Sequence, residues 1–112
     1  MGAAECGGRQ VLLVDDDPTM LLLMEHVFEG LGRSYETASN GEEAWKIWQE
    51  KRHALVVLDI EMPGLDGLEV CRRIPATEGG RDTFIVVVTG RDRAADLEDI
   101  LDAGPDDYVA KP

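Results

Sequence analysis

The sequence predicts a doubly wound α/β domain, a five-stranded parallel sheet with helices on both faces. Two observations carry that expectation. Short apolar runs, bounded by turn residues, alternate along the chain with stretches of helical spacing, and the loops between them are short. Two of these runs, far apart in sequence, end on carboxylates: Val11-Leu-Leu-Val14 on Asp15-Asp16-Asp17, and Ala54-Leu-Val-Val-Leu58 on Asp59. A continuous apolar run reads as a strand buried on both faces, as parallel strands are.

Val11–Val14 is the first strand. Asp17 then serves as a helix N-cap, with Pro18 at the first helical position, where its missing N–H has no partner to lose. Leu21, Met24, Val27, Phe28 and Leu31 form the expected inward stripe, and Gly30 and Gly32 stop the helix. Ser34–Ala38 is more polar and suits an edge strand. Asn40-Gly-Glu-Glu43 has the form of a capping box, with Asn40 as cap and Glu43 reaching back. The second helix carries Ala44, Trp45, Ile47 and Trp48, and its tryptophans are expected to cover the sheet. Ala54–Asp59 is the third strand, followed by a turn containing Pro63, Gly64 and Gly67. Leu68, Cys71 and Ile74 mark a third helix, which Pro75 is expected to end early because its ring clashes with the preceding turn. Glu78–Arg81 reads as loop, and Thr83–Thr89, rich in β-branched residues, as a fourth buried strand. Beyond the turn Gly90–Arg93, a fourth helix over Ala94–Ala103 points Leu97, Ile100 and Leu101 inward, with Gly104 as C-cap. Pro105-Asp-Asp107 leads into a short fifth strand, Tyr108–Pro112.

With 112 residues there is room for one domain and one core. A hydrophobic content of 44% and a charged content of 30% belong to a soluble globular chain, and no apolar run approaches the roughly 20 residues of a membrane span. The first nine residues lack the basic start and apolar stretch of a signal peptide and read as a flexible leader, so a cytoplasmic location is expected. Net charge is −12, from 23 acids against 11 bases, which argues against direct nucleic-acid binding, since phosphate contacts need a basic face. Cys6 and Cys71 have no metal-ligand spacing, and His26 and His53 read as packing or surface residues.

In a parallel sheet every strand opens at the same edge, and in open α/β sheets that edge is where ligands bind. Asp15 and Asp16 end the first strand, Asp59 the third, Thr89 the fourth and Lys111 the fifth. Topology thus gathers three carboxylates, a hydroxyl and an ammonium. Two like charges about 4 Å apart repel by about 4 kcal/mol at an effective dielectric near 20. Three acids in one hollow therefore hold protons or recruit a cation. A few hard oxygen ligands, with room left for water and phosphate oxygens, suit Mg²⁺ best. The stretch Asp59-x-Glu61-x-Pro63-Gly64 is a poor calcium loop, since Pro63 replaces a ligand and Val70 stands where the terminal Glu belongs. Lys111 suits a phosphate as a point-charge donor, and Thr89 with the Gly90 N–H could bind further phosphate oxygens. A nucleophilic carboxylate, a metal, a lysine and a hydroxyl form a site for phosphoryl transfer to Asp59.

Val-Asp15-Asp16, Leu-Asp59-Ile-Glu-Met-Pro-Gly-Leu-Asp-Gly67, Val-Thr89-Gly and Tyr108-Val-Ala-Lys111-Pro112 resemble, in order and spacing, the receiver domain of two-component response regulators, from about Gln10 to Pro112. The resemblance implies a flavodoxin-like three-layer sandwich with strand order 2-1-3-4-5. It implies that Asp59 is the phosphoacceptor, taking its phosphoryl group from a sensor histidine kinase, a phosphotransfer protein or a small phosphodonor. Asp16, Asp59 and the backbone carbonyl of Glu61 would bind Mg²⁺ (Mn²⁺ being the alternative ion), with Asp15 acting through water. Lys111 would pair with the acyl phosphate, while Thr89 and Tyr108 would shift together as the switch. The Lys111–Pro112 peptide would be cis. The Glu61 side chain would either be plain surface charge or contact a metal-bound water and alter dephosphorylation. Autodephosphorylation is expected, turnover of an outside substrate is not, and the output would be a domain in cis or a protein partner. A phosphorylation-independent pseudo-receiver, acting as an interaction scaffold, is the alternative, although no acid or lysine of the pattern is lost. A flavin carrier on this fold is disfavoured because Asp15-Asp16-Asp17-Pro18 would repel a flavin phosphate.

Such domains carry five helices, whereas this chain ends with its fifth strand. The expectation is a receiver domain over residues 10–112, truncated after strand five, behind a leader over residues 1–9. The missing helix would cover the same face as the first helix, leaving a bare apolar surface in a fragment of a longer protein or one covered in a homodimer.

Overall fold

A computed structural model of the protein describes residues 10–60, 67–90 and 97–110. In order, the elements are β1 (Val11–Val14), α1 (Pro18–Gly30), β2 (Tyr35–Ala38), α2 (Gly41–Lys51) and β3 (Leu55–Asp59), then α3 (Gly67–Ala76), a 3-10 turn (Gly80–Asp82), β4 (Phe84–Thr89), α4 (Leu97–Ala103) and β5 (Asp107–Ala110). All neighbouring strands are parallel, as the sequence pattern predicts, and lie in the order β2-β1-β3-β4-β5, as the family resemblance implies.

Alternation along the strands sends two sets of side chains to opposite faces. Leu12, Val14, Val56, Leu58, Ile85 and Val87 pack with Ala44 and Trp48 of α2, with Val70, Cys71 and Ile74 of α3, and with Ile100 and Ala103 of α4. On the other face Val11, Leu13, Leu55 and Val57 meet Leu21, Met24 and Phe28 of α1. Burying each Leu, Val or Ile side chain contributes about 1.5–3 kcal/mol, so the three-helix face supplies the larger share of the core. On the α1 face Phe84, in register with Leu55, is 50% exposed, and Val109, in register with Val88, is 46% exposed.

Several local expectations need correction. Val27, Leu31 and Leu101, predicted to point inward, are exposed. The stripe of α1 that meets the sheet is Leu21, Met24 and Phe28; Val27 is turned about 100° from Phe28, and Leu31 lies past the helix end. Leu101 is likewise turned about 100° from the buried Ile100. Pro75 does not stop α3, which runs on to Ala76. The proline falls in the last turn, and Thr77 closes it by donating its N–H to the Ile74 carbonyl at 3.1 Å and its hydroxyl to the Arg73 carbonyl at 2.8 Å. The expected loop at 78–81 contains part of the 3-10 turn.

Both predicted N-caps are present. Asp17 accepts the Thr19 N–H, and Asn40 accepts the Glu43 N–H at 2.8 Å. Glu43 reaches back to Ser39, one residue before the cap, accepting its N–H at 2.9 Å.

At the amino edge of the sheet a polar clasp joins four elements. His53 is fully buried, with Nε2 2.7 Å from Glu36 Oε1, and Lys51 Nζ donates to Glu36 Oε2 at 3.2 Å. Burial pushes the Glu36 carboxyl up, but the hydrogen bonds from His53 and Lys51 outweigh it and hold the group below the usual carboxylate range. Thr83 donates its hydroxyl to the His53 carbonyl at 2.9 Å and accepts the Trp48 indole N–H at 3.1 Å. Arg52 ends α2 in the left-handed conformation, at φ 51°. Its guanidinium holds that shape by stacking 4.6 Å from the Trp48 ring and donating to the Glu78 carbonyl at 2.7 Å.

Candidate functional site

The three consecutive acids after β1 receive three different environments. Asp15 continues the strand pairing, its N–H donating to the Ala38 carbonyl at 3.2 Å, and its side chain is fully buried. Its Oδ1 accepts the Asp17 N–H at 2.9 Å, fixing the chain as it leaves the sheet. Asp17 is spent on capping α1 as the N-cap and is not one of the converging acids. Asp16, between them, is exposed. The spacing of acid, acid, cap and Pro18 thus presents one buried and one exposed carboxylate at the end of β1.

Asp59 is the last residue of β3 and only 1% exposed. β3 lies between β1 and β4, with Leu58 opposite Val14 and Asp59 opposite Val88, so the register places Asp59 beside the end of β1. Carboxylate oxygens of Asp15, Asp16 and Asp59 all lie within 4.8 Å of one another, the one such acid, Cys or His group among the described residues. At that separation each pair repels by about 3 kcal/mol at an effective dielectric near 20, and a divalent cation converts that repulsion into attraction. The donor set of hard carboxylate oxygens, two from buried residues and one from an exposed one, fits Mg²⁺.

Thr89 ends β4 and is 6% exposed; its hydroxyl is 3.4 Å from the Gly90 carbonyl as donor. Tyr108 stands in β5, 40% exposed, and its N–H donates to Asp107 Oδ1 at 2.8 Å. Glu61, Lys111 and the Lys111–Pro112 peptide lie outside the described residues. The structure therefore brings Asp15, Asp16 and Asp59 together and places Thr89 at the same edge of the sheet. Cys71 is not part of this edge: it is buried with its thiol 3.6 Å from the Ala103 carbonyl, and burial pushes its pKa up to about 11. One residue of interest went unweighed in the sequence beyond its place in a turn. Gly67, the first residue of α3, lies against the main chain of Asp59. Its sequence signals are a glycine placed where a helix begins and its place at the end of the motif that starts at Asp59.

Residues 11–112 match the family model for the response regulator receiver domain. The transcriptional regulatory protein AfsQ1 of Streptomyces coelicolor is 39% identical over 102 residues, 91% of this chain and 44% of that protein. The chain thus spans less than half the length of the curated relatives it matches. A putative response regulator from Chloroflexus aurantiacus superposes with a TM-score of 0.87 at 30% identity, covering 93% of this chain and 85% of that one. The receiver domain of the sensor histidine kinase PA1611 from Pseudomonas aeruginosa PAO1, with magnesium coordinated in its active site cleft, gives 0.85 at 33% identity, covering 94% and 86%. Among the described residues no helix is long and apolar enough to cross a membrane.

Proposed function

The chain belongs to the response regulator receiver family, and from that premise we propose that it is a phosphoacceptor switch in which Asp59 takes up a phosphoryl group. The observation that carries this reading is the meeting of Asp15, Asp16 and Asp59 within 4.8 Å at one sheet edge. Asp15 and Asp16 directly follow β1 and Asp59 ends β3, so the pairing of these neighbouring strands brings them to one edge.

In the proposed step a carboxylate oxygen of Asp59 attacks phosphorus in line. The O–P bond forms as the bond from phosphorus to the donor's imidazole nitrogen or carboxylate oxygen breaks, and the donor leaves with that electron pair. Bound Mg²⁺ (or Mn²⁺) supplies positive charge against the phosphoryl oxygens and against the acids themselves. Asp16, Asp59 and the Glu61 backbone carbonyl would hold it, with Asp15 acting through water. Lys111 pairs with the acyl phosphate as a point charge. Thr89 exchanges its Gly90 contact for a phosphoryl oxygen, and Tyr108 follows from its exposed position to a buried one, which carries the change to the face formed with α4. The Glu61 side chain sets phosphoryl lifetime through a metal-bound water; identical lifetimes in wild type and Glu61→Ala would remove that role.

The donor is a sensor histidine kinase or phosphotransfer protein, with small phosphodonors as substitutes, and the readout is an output domain in cis or a protein partner. A net charge of −12 argues against direct nucleic-acid binding by the domain. A cytoplasmic setting, without turnover of any outside substrate, fits this role. The scaffold alternative is disfavoured because the three acids are all present and converge. Incubation with Mg²⁺ and acetyl phosphate is expected to give an acid-stable, hydroxylamine-labile adduct in wild type and none in Asp59→Asn. Wild-type protein that binds Mg²⁺ yet forms no adduct would sink the proposal.

A further inference from the structure

We infer that Gly67 is a positioning residue for Asp59, a reading that rests on Asp59 as the phosphoacceptor: the first turn of α3 lies directly on the phosphoacceptor's main chain, and only a residue without a side chain permits that contact. A Cβ on Gly67 would fall 2.2 Å from the Asp59 carbonyl oxygen, 2.9 Å from its carbonyl carbon and 2.9 Å from the Ile60 Cα. Every one of those atoms is main chain. None can swing aside as the tip of a side chain can.

The surroundings leave little room for the contact to relax. β3 is paired on both sides, to β1 through Leu58 and to β4 through Asp59 itself. Ile60 is buried, and on the other side of the contact α3 is anchored in the core by Val70, Cys71 and Ile74. A methyl at position 67 therefore forces either the strand end or the helix to move by about 1 Å to restore ordinary contact. Asp15 and Asp16 follow directly on β1, a different strand, and do not move with it. The geometry between the attacking carboxylate and its metal-holding neighbours changes, and a misplacement of about 1 Å lowers reactivity by about a hundredfold. In the other direction, a shift of Asp59 on phosphorylation presses on the start of α3.

Gly80 provides a matched control at the opposite edge. A Cβ there would lie 1.7 Å from the Ile74 carbonyl oxygen, 2.7 Å from its carbon and 3.2 Å from the Trp48 ring, with no contact to Asp59. Gly80→Ala thus meets main chain at least as severely as Gly67→Ala.

The test compares Gly67→Ala and Gly80→Ala in the full chain by thermal unfolding, Mg²⁺ titration and the initial rate of phosphorylation by acetyl phosphate, normalised to folded protein. Both variants should melt lower. Gly67→Ala should phosphorylate about a hundredfold more slowly and bind Mg²⁺ more weakly, with Gly80→Ala at wild-type values for both. A wild-type rate in Gly67→Ala, or equal slowing in both, overturns the inference. If wild type itself takes no phosphoryl group, the functional reading fails; the Mg²⁺ titrations then decide the positioning role, which equal affinities would overturn. Should Gly67→Ala not fold, amide resonances of wild type answer instead. Mg²⁺ and acetyl phosphate should shift Gly67 and leave Gly80 in place, and an unmoved Gly67 refutes the contact's role.

Discussion

At the carboxyl edge of the sheet, Asp15, Asp16 and Asp59 bring three carboxylates within 4.8 Å of one another, whereas at the amino edge Glu36 is held between Lys51 and the buried His53. The same parallel sheet sets both arrangements by register. At one edge three acids converge where a divalent cation would offset their repulsion, and at the other an acid is paired with cationic and imidazole groups of the chain itself. On the proposed function the first arrangement holds the chemistry, and mutual repulsion of its acids is expected to cost stability in the absence of metal. The second ties β2, α2, β3 and β4 together and holds none. Removing an acid should therefore have opposite effects at the two edges.

The largest expected effect is at the amino edge. His53→Ala empties a fully buried site and strips Glu36 of its shortest hydrogen bond, so it should cost about 2–4 kcal/mol in denaturant unfolding. Phosphorylation per folded molecule should stay at the wild-type level; a selective loss of that rate would erase the division between the edges. Asp59→Asn should go the other way, raising stability by about 1–2 kcal/mol in metal-free buffer as repulsion is relieved. Mg²⁺ should then stabilise wild type more than the variant, and a lower melting point for metal-free Asp59→Asn would contradict the account.

Glu36→Gln is the matched removal of an acid, expected to cost about 1 kcal/mol. Its pH dependence has a definite sign. Because the Glu36 pKa is depressed in the folded protein, the clasp's contribution is present above the unfolded value of about 4.3 and is lost as pH falls through the lower folded one. An acid unfolding curve for Glu36→Gln should be flatter over that window, and superimposable curves would dismiss the clasp as a source of acid sensitivity. The smallest effect lies apart from both clusters of groups. Tyr35 donates its hydroxyl to the Glu29 carboxylate, which with burial and the Glu29 and Glu25 charges pushes its pKa up to about 12. That bond's contribution is whole below the ordinary tyrosine value of about 10 and is lost as pH rises through about 12. Ultraviolet titration of tyrosinate should show the late ionisation, and Glu29→Gln should bring it back toward normal.

What could be read from the sequence was what depends on neighbours in sequence. The apolar run Val11–Val14 ending on three acids, the caps Asp17 and Asn40, and the run ending at Asp59 are all short-range signals, and parallel topology then forces the strand ends together. The clasp was not legible, because it joins Glu36 to His53 and His53 to Thr83 across 17 and 30 residues by strand register alone. Nor could spacing separate Phe28 from Val27, since both fit a broad apolar helix face until the sheet selects one line along it. Pro75 misled because its penalty falls on an interior turn, and here Thr77 closes the last one. Gly67 looked like a turn residue; its reason is the close approach of α3 to a main chain eight positions earlier, a matter of packing that composition does not carry.

The central claim is that the carboxyl edge is a metal-dependent phosphoacceptor centred on Asp59. Peptide mass mapping after exposure to acetyl phosphate, with Mg²⁺ and again with a chelator, tests it most directly. The account predicts a single phosphoryl addition on the peptide containing Asp59, present with Mg²⁺, absent with the chelator and absent in Asp59→Asn. Addition that persists in the chelator, or that appears equally in Asp59→Asn, would contradict it.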